Sequence, residues 1–184
     1  MRTLTLIVAL AFALTATFVQ AGWNPLADDK SEKSSAKGAE VAETIATFKT
    51  KDPGIRVFFD KAYGYAVFPT VGKGGMGIGA AYGKGEVYQR GKLIGTSSLS
   101  QLTIGLQLGG QAYSEIIFFK DKATLDRFTS GSFEFSAQAS AVALTAGASA
   151  DADYSNGVAI FTLAKGGLMY EASVGGQKFG FTPR

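Results

Sequence analysis

The pattern of hydrophobic and polar positions begins with a helical stretch in the N-terminal third of the chain. Apolar residues recur there at helical spacing, which predicts an amphipathic helix over residues 38–51. Its apolar face carries Val41, Ala42, Ile45 and Phe48. Asp52 and Pro53 then have the sequence of an N-cap and a first helical turn, which predicts a second, short helix. Its inward-pointing residues would be Ile55, Phe58 and Phe59. We expect both helices to pack on a sheet, while a helix that lies on a membrane stays open as an alternative.

From residue 63 onward, short apolar runs alternate with glycine-rich turns, a pattern typical of antiparallel strands. Gly75, Gly77 and Gly79 would leave one face of a strand without side chains, which favours close approach of another backbone or a bend. A hairpin is predicted at Arg90-Gly91, and the pair 109–110 predicts either a tight turn or a bulge. The runs with strand character are 63–68, 75–82, 87–89, 93–95, 99–108, 111–119, 133–149, 158–163, 168–174 and 177–181.

One more helix is expected within this strand-rich region. Asp121 has the position of an N-cap for a short helix that runs through Phe128 and ends at Gly131. Roughly eight to ten strands with two or three short helices, mainly N-terminal, predict an α+β fold that is predominantly antiparallel β. A curled or barrel-like sheet is favoured, because open edges of glycine-rich strands would otherwise be exposed.

Composition narrows the range of chemistry. The chain has no histidine and no cysteine, which excludes thiol nucleophiles, histidine general bases, the usual zinc sites and disulfides. The glycines of residues 72–77 fit the G-x-G-x-x-G motif of dinucleotide-binding proteins, but a strand pattern follows them where that motif requires a helix. Asp151 and Asp153 could hold a calcium ion, but the other ligands of a calcium-binding loop are missing from the sequence around them. Glu115 lies among apolar residues, where a structural hydrogen bond or ion pair is expected. We therefore predict no enzyme, no metal site and no cofactor.

The N-terminus has the features of an export signal. Met1 and Arg2 precede an uncharged, mostly apolar run that ends with small residues at positions 19 and 21. We predict a signal peptide over residues 1–21 cleaved near Ala21, a flexible arm over 22–37 and a single domain over 38–184. An uncleaved anchor is the alternative for the first segment. The mature protein would be periplasmic or secreted.

Four ordered segments resemble the SYLF domain family, a lipid-binding domain that is also described as the actin-binding domain of yeast endocytic proteins. They are AYGYAVFP at 62–69, KGGMGIG at 73–79, LQLGGQAYSE at 106–115 and KGGL at 165–168. The resemblance extends over nearly all of residues 39–181. Within the family, the chain is similar to the secreted bacterial branch. It implies a non-enzymatic domain that binds phosphoinositides or other anionic lipids, and actin filaments in some eukaryotic members, although actin would not be met in a periplasm.

Basic residues provide the candidate contacts to such a ligand. Between residues 61 and 92, five bases face a single acid, Glu86, so the loops that carry them are expected to make one end of the sheet positive. The predicted head-group contacts are Lys73, Lys84, Arg90, Lys92 and Lys165. The leading hypothesis is an anionic phospholipid or membrane surface as partner, with no nucleic acid. The alternative is an envelope structural or protein-interaction domain without lipid activity.

Overall fold

A computed structural model describes residues 25–76, 78–104, 111–166 and 174–184. Within these ranges the chain forms three α-helices and a sheet of eight strands that curls into a half-barrel. The helices are α1 (Pro25–Lys51), α2 (Arg56–Lys61) and α3 (Lys122–Thr129). The strands are β1 (Gly64–Met76), β2 (Ile78–Gln89), β3 (Lys92–Ile104), β4 (Gln111–Phe119), β5 (Phe133–Glu134), β6 (Val142–Ala143), β7 (Val158–Lys165) and β8 (Lys178–Pro183). The predicted α+β class with a curled sheet is confirmed.

The strand order is β5-β8-β3-β2-β1-β4-β7-β6, and every pair is antiparallel except β6 with β7. The long β1–β2 hairpin corrects one sequence interpretation. A single strand was predicted over residues 75–82, but β1 continues to Met76 and β2 begins at Ile78. Gly75 of β1 pairs with Gly79 of β2. The predicted single strand is therefore divided between two paired strands.

Two faces of the sheet carry separate hydrophobic clusters. The inner face contains Phe68, Ile117 and Phe179, and α3 covers it with Leu125 and Phe128. The cap at Asp121 that was predicted for α3 is present, since its carboxylate accepts a hydrogen bond from the backbone N–H of Thr124. The cluster places α3 against the concave side of the half-barrel.

The outer face is covered by α1 and α2. Val41 and Phe48 of α1 and Phe58 of α2 belong to one buried cluster with Phe118 of β4 and Phe161 of β7. The expectation that these helices pack on the sheet is confirmed for this part of the molecule. α1 begins at Pro25, so residues 25–37, which the sequence analysis assigned to a flexible arm, are helical. No helix within the described ranges combines the length and apolar character that a membrane crossing requires.

Asp52 links the turn between α1 and α2 to the segment around Ser149. Its Oδ1 accepts a hydrogen bond from the N–H of Gly54 at 3.0 Å, and its Oδ2 accepts one from the N–H of Ser149 at 2.7 Å. Burial raises the pKa of Asp52, but hydrogen bonds such as these outweigh it, so the pKa lies below its ordinary value. The predicted N-cap is therefore confirmed, at the start of the 3₁₀ turn Pro53–Ile55 that leads into α2. The second carboxylate oxygen of Asp52 holds a segment 97 residues away in sequence.

We expect Asp52→Ala to lower the free energy of unfolding by about 2 kcal/mol, because it removes a helix cap and leaves the buried N–H of Ser149 without its acceptor. Urea unfolding followed by circular dichroism measures this loss. Asp52→Ser is the matched variant, since a serine caps Gly54 but is too short to reach Ser149, and its loss should be intermediate. Equal losses in the two variants would contradict the role of the Ser149 bond.

Residues 133–143 connect the two edges of the sheet. β5 pairs with β8 at one edge, and β6 pairs with β7 at the other. The prediction of one long strand over residues 133–149 was therefore wrong, since only β5 and β6 within this run are strands. The small residues of this run let the chain pass close to its neighbours, as Ala137 does where a Cβ on Gly175 would lie 2.5 Å from its carbonyl oxygen. This crossing segment leads the chain over the open side of the half-barrel.

Candidate functional site

The five predicted basic residues lie at both ends of the sheet and on both of its faces. Arg90 lies in the β2–β3 turn and Lys92 is the first residue of β3, at the end of the sheet where β1 begins. Lys73 and Lys165 lie toward the opposite end, where β1 pairs with the start of β4 and β4 pairs with the end of β7. Lys84 lies between these ends, opposite Thr70 and Ser98. The bases between residues 61 and 92, which were expected to make one end of the sheet positive, are therefore divided, since Arg90 and Lys92 lie at one end and Lys73 lies toward the other.

Lys165 is engaged with α1. Its Nζ donates a hydrogen bond to the hydroxyl of Thr70 at 2.7 Å and lies 4.0 Å from Oε1 of Glu40. The Thr70 hydroxyl in turn donates to the same Glu40 oxygen at 3.1 Å. These contacts join β7, β1 and α1, so Lys165 has a structural position while its ammonium group stays partly open to solvent.

Lys73 is half-buried on the inner face, in one cross-strand row with Ala81, Gln101 and Gln111. A bulge in β1 between Val67 and Thr70 determines this orientation, because the additional residue reverses the alternation of sides that follows it. Burial lowers the pKa of Lys73. A ligand on the outer face would therefore not meet this side chain.

Lys84 lies on an exposed part of the outer face together with two large apolar side chains. Tyr82 is 54% exposed and Leu102 is 78% exposed. Leu102 is opposite Ala80, and Tyr82 is opposite Ser100, so Tyr82 and Leu102 are diagonal neighbours on adjacent strands, about 7–8 Å apart. We call this surface the outer-face patch and define it as Ala80, Tyr82, Lys84, Ser100 and Leu102.

The outer-face patch is uncovered because the outer helices pack elsewhere. The cluster beneath α1 and α2 draws its buried strand residues from β1, β4 and β7. On β2, the residues between the exposed ones are small, as Ala81 and Gly83 are, and they are buried on the inner face. Tyr82 and Lys84 consequently point away from the core. An apolar and basic surface of this kind is typical of a binding face.

The inner face contains a buried polar group. Glu115 is fully buried and accepts a hydrogen bond from Nε2 of Gln177 at 3.0 Å, and the same nitrogen donates to the hydroxyl of Tyr113 at 3.1 Å. Burial raises the pKa of Glu115 to about 8, and the bond from Gln177 opposes that shift. The predicted structural hydrogen bond is confirmed. This carboxyl group has no exposed surface, so it does not line an open cleft.

Comparison with known proteins points to the same family as the four sequence segments. Residues 100–181 match the family model of Ysc84, described as "Las17-binding protein actin regulator". This match confirms the resemblance to the SYLF family that the sequence segments show.

A relative in Aeromonas veronii is named Beta cell expansion factor A. It is 32% identical over 131 residues, which are 70% of this chain and 49% of that protein. The chain thus spans about half the length of the curated relative it matches.

Sequence reasoning missed Tyr82 and Leu102. The signal was present on β2, where the small residues at 79, 81, 83 and 85 alternate with Ala80, Tyr82 and Lys84. That alternation assigns the larger side chains to the opposite face from the small ones. It could not show that this face lacks a covering helix, because helix placement depends on contacts between distant parts of the chain.

Proposed function

We propose that this protein is an exported, non-enzymatic lipid-binding domain that binds the surface of membranes rich in anionic phospholipids. The observation that carries the proposal is the outer-face patch, where Tyr82 and Leu102 are exposed beside Lys84. Apolar side chains of this kind enter the interfacial region of a bilayer, and a tyrosine ring suits that boundary. The resemblance to the SYLF family supports the same ligand class.

Charge would add to the apolar contact. Each lysine or arginine near an anionic membrane contributes about 1 kcal/mol, and salt reduces this contribution. Lys84 has the best position among the five predicted contacts, because its exposed side chain shares a face with Tyr82 and Leu102. Arg90 and Lys92 are exposed at one end of the sheet, where they would contact head groups beside the β2–β3 turn. Lys73 is half-buried on the inner face and Lys165 contacts Thr70 and α1, so these two are less available to a membrane.

Vesicle co-sedimentation tests the proposal. We expect the protein to sediment with vesicles that contain phosphatidylglycerol, to bind pure phosphatidylcholine vesicles less, and to lose part of its binding as salt rises. Leu102→Ser should weaken binding about tenfold, because burying a leucine side chain stabilises by roughly 1.5–3 kcal/mol. Lys84→Gln should weaken it about fivefold and reduce the salt dependence.

Val57 provides the matched control, because it is the other large apolar residue among the described ones that is at least half exposed, and it lies on α2. Val57→Ser should bind vesicles as the unaltered protein does. Equal binding to neutral and anionic vesicles, or equal losses for Val57→Ser and Leu102→Ser, would reject the outer-face patch as the membrane contact. Absence of any vesicle binding would favour the alternative of an envelope structural or protein-interaction domain.

A further inference from the structure

A cavity of about 390 Å³ lies between the crossing segment and the start of β7. One residue of α3 and the loop before β7 complete its walls. The buried part of its lining is apolar and includes Phe135, Val158 and Ile160. Small-molecule sites typically measure roughly 300–1,000 Å³ and combine apolar walls with a few polar groups. The size and the walls of this cavity therefore suit a small ligand.

The aromatic wall of the cavity is held by its own packing. The rings of Phe133 and Phe135 meet edge to face, with their centroids 5.4 Å apart. The ring of Phe179 on β8 contacts both, with its centroid 6.1 Å from that of Phe133 and 5.1 Å from that of Phe135. A wall that is packed in this way keeps its shape without a ligand, so binding would require little rearrangement of the protein.

Asn156 lines the cavity from a two-residue turn. Its φ is +52° and that of Gly157 is +85°, and Ser155 and Val158 on either side exchange backbone hydrogen bonds of 2.9 and 3.0 Å. Asparagine followed by glycine is the preferred sequence of such a turn. The turn rests on α3, since a Cβ at Gly157 would lie 2.4 Å from the hydroxyl oxygen of Thr124. The position of the Asn156 carbonyl group relative to α3 is therefore fixed.

That carbonyl group orients a cation. Nη2 of Arg127, on α3, donates a hydrogen bond to the Asn156 carbonyl oxygen at 3.3 Å and lies 3.4 Å from the hydroxyl oxygen of Thr124. Arg127 is exposed and lines the cavity, and it forms no ion pair with a carboxylate among the residues that the structure describes. The nearby carboxylate of Asp121 is engaged with Thr124. The guanidinium group is thus positioned through one nitrogen and has further N–H groups for an anionic ligand.

A carboxylate without a paired cation lies on the same cavity. Asp153 is exposed, and its Oδ1 accepts a hydrogen bond from the N–H of Tyr154 at 2.6 Å. Within the described ranges, no lysine or arginine pairs with it. The other carboxylate of the lining, Glu134, lies 3.7 Å from Nζ of Lys178. The cavity therefore presents one guanidinium group and one carboxylate whose charges are not neutralised by an ion pair in this part of the molecule.

A ligand that matches this lining has three parts. The guanidinium group requires an anion, and it can bind a carboxylate through two parallel hydrogen bonds. The Asp153 carboxylate requires a cation, and an ammonium group supplies up to three donors. The apolar wall requires a hydrocarbon group. We infer that the cavity binds a free α-amino acid with an apolar side chain, its carboxylate on Arg127 and its ammonium group on Asp153.

This inference is independent of the proposed membrane contact. Arg127 and Asp153 belong neither to the outer-face patch nor to the five predicted head-group contacts. Leu102→Ser, which should weaken vesicle binding, should leave binding in the cavity unchanged. Failure of vesicle binding would therefore leave the amino-acid site standing, and the reverse also holds.

Isothermal titration calorimetry of the purified protein with L-leucine and L-phenylalanine tests the inference. Three comparison ligands each lack one part of leucine, since isocaproate has no ammonium group, isopentylamine has no carboxylate and glycine has no side chain. We expect saturable binding of leucine or phenylalanine and about tenfold weaker binding of each comparison ligand, because each loses a charge-assisted hydrogen bond or the apolar contact. Absence of binding by both amino acids, or equal binding of leucine and isocaproate, would overturn the inference. Tighter binding of leucylleucine than of leucine would overturn the assignment to a free amino acid and identify the ligand as a peptide.

Charge variants assign the two contacts. Arg127→Gln and Asp153→Asn should each weaken leucine binding about tenfold. Arg127→Gln should leave the binding of isopentylamine unchanged, and Asp153→Asn should leave that of isocaproate unchanged, whereas a general structural role would weaken every ligand alike. Arg56→Gln and Asp151→Asn are the matched controls, because both residues are exposed and lie outside the lining, and both variants should bind leucine as the unaltered protein does. If a control weakens leucine binding as much as the variant it matches, or if neither Arg127→Gln nor Asp153→Asn weakens it, the cavity is not an amino-acid site.

Discussion

The free energy of unfolding should fall as the pH rises from about 5 to 8, because one buried carboxyl group remains protonated in the folded protein over this range. Glu115 has a folded pKa of about 8 and an ordinary value of 4.5. A raised folded pKa makes its contribution complete below pH 4.5 and removes it as the pH passes through 8. Each unit of difference corresponds to about 1.4 kcal/mol, so the loss over the range is on the order of 4 kcal/mol.

The composition of the chain allows this pH dependence to be assigned to one group. The chain has no histidine and no cysteine, so no side chain of those types titrates between pH 5 and 8. Glu115→Gln can still accept the hydrogen bond from Gln177 but has no proton to lose. Its unfolding free energy, measured in urea at pH 5, 6.5 and 8, should be nearly constant and should exceed that of the unaltered protein at pH 8. A slope equal to that of the unaltered protein would show that Glu115 is not the titrating group.

Local signals in the sequence predicted the helices well. Asp52 and Asp121 cap their helices through their own side chains, and a cap depends on residues two or three positions away. The amphipathic face of α1 was equally local, since Val41 and Phe48 share one side of a helix whatever it packs on. These elements could be predicted because the necessary contacts lie within a few residues in sequence.

Strand orientation could not be predicted in the same way. Lys73 would share a face with Tyr65 if β1 alternated regularly, but the bulge after Val67 turns it to the inner side. Pro69 lies within this bulge, where a residue without an N–H is tolerated in a central strand. The candidate site was therefore predicted only in part. The basic residues were recognised, but their faces depend on a register that the partner strands determine.

Gly85→Ala should lower the free energy of unfolding by about 3 kcal/mol, because the site leaves no room for a methyl group. A Cβ at Gly85 would lie 2.4 Å from the carbonyl oxygen of Val67 and 2.7 Å from Cδ1 of Phe68. The first of these atoms belongs to the backbone of a central strand and cannot move without disturbing the sheet. Gly85 lies opposite the bulge, since Glu86 pairs with Val67 and Lys84 pairs with Thr70.

Gly72→Ala is the matched control, because Gly72 lies in the same hairpin and a Cβ there would meet nothing within 4 Å. Its effect should be within about 0.5 kcal/mol of zero, since alanine also restricts the unfolded chain. Urea unfolding of both variants at pH 6 measures the difference. If Gly85→Ala is as stable as Gly72→Ala, the bulge can relax around an added methyl group. The bulge would then not fix the orientation of Lys73, and the separation of the basic residues between the two faces would lose its physical basis.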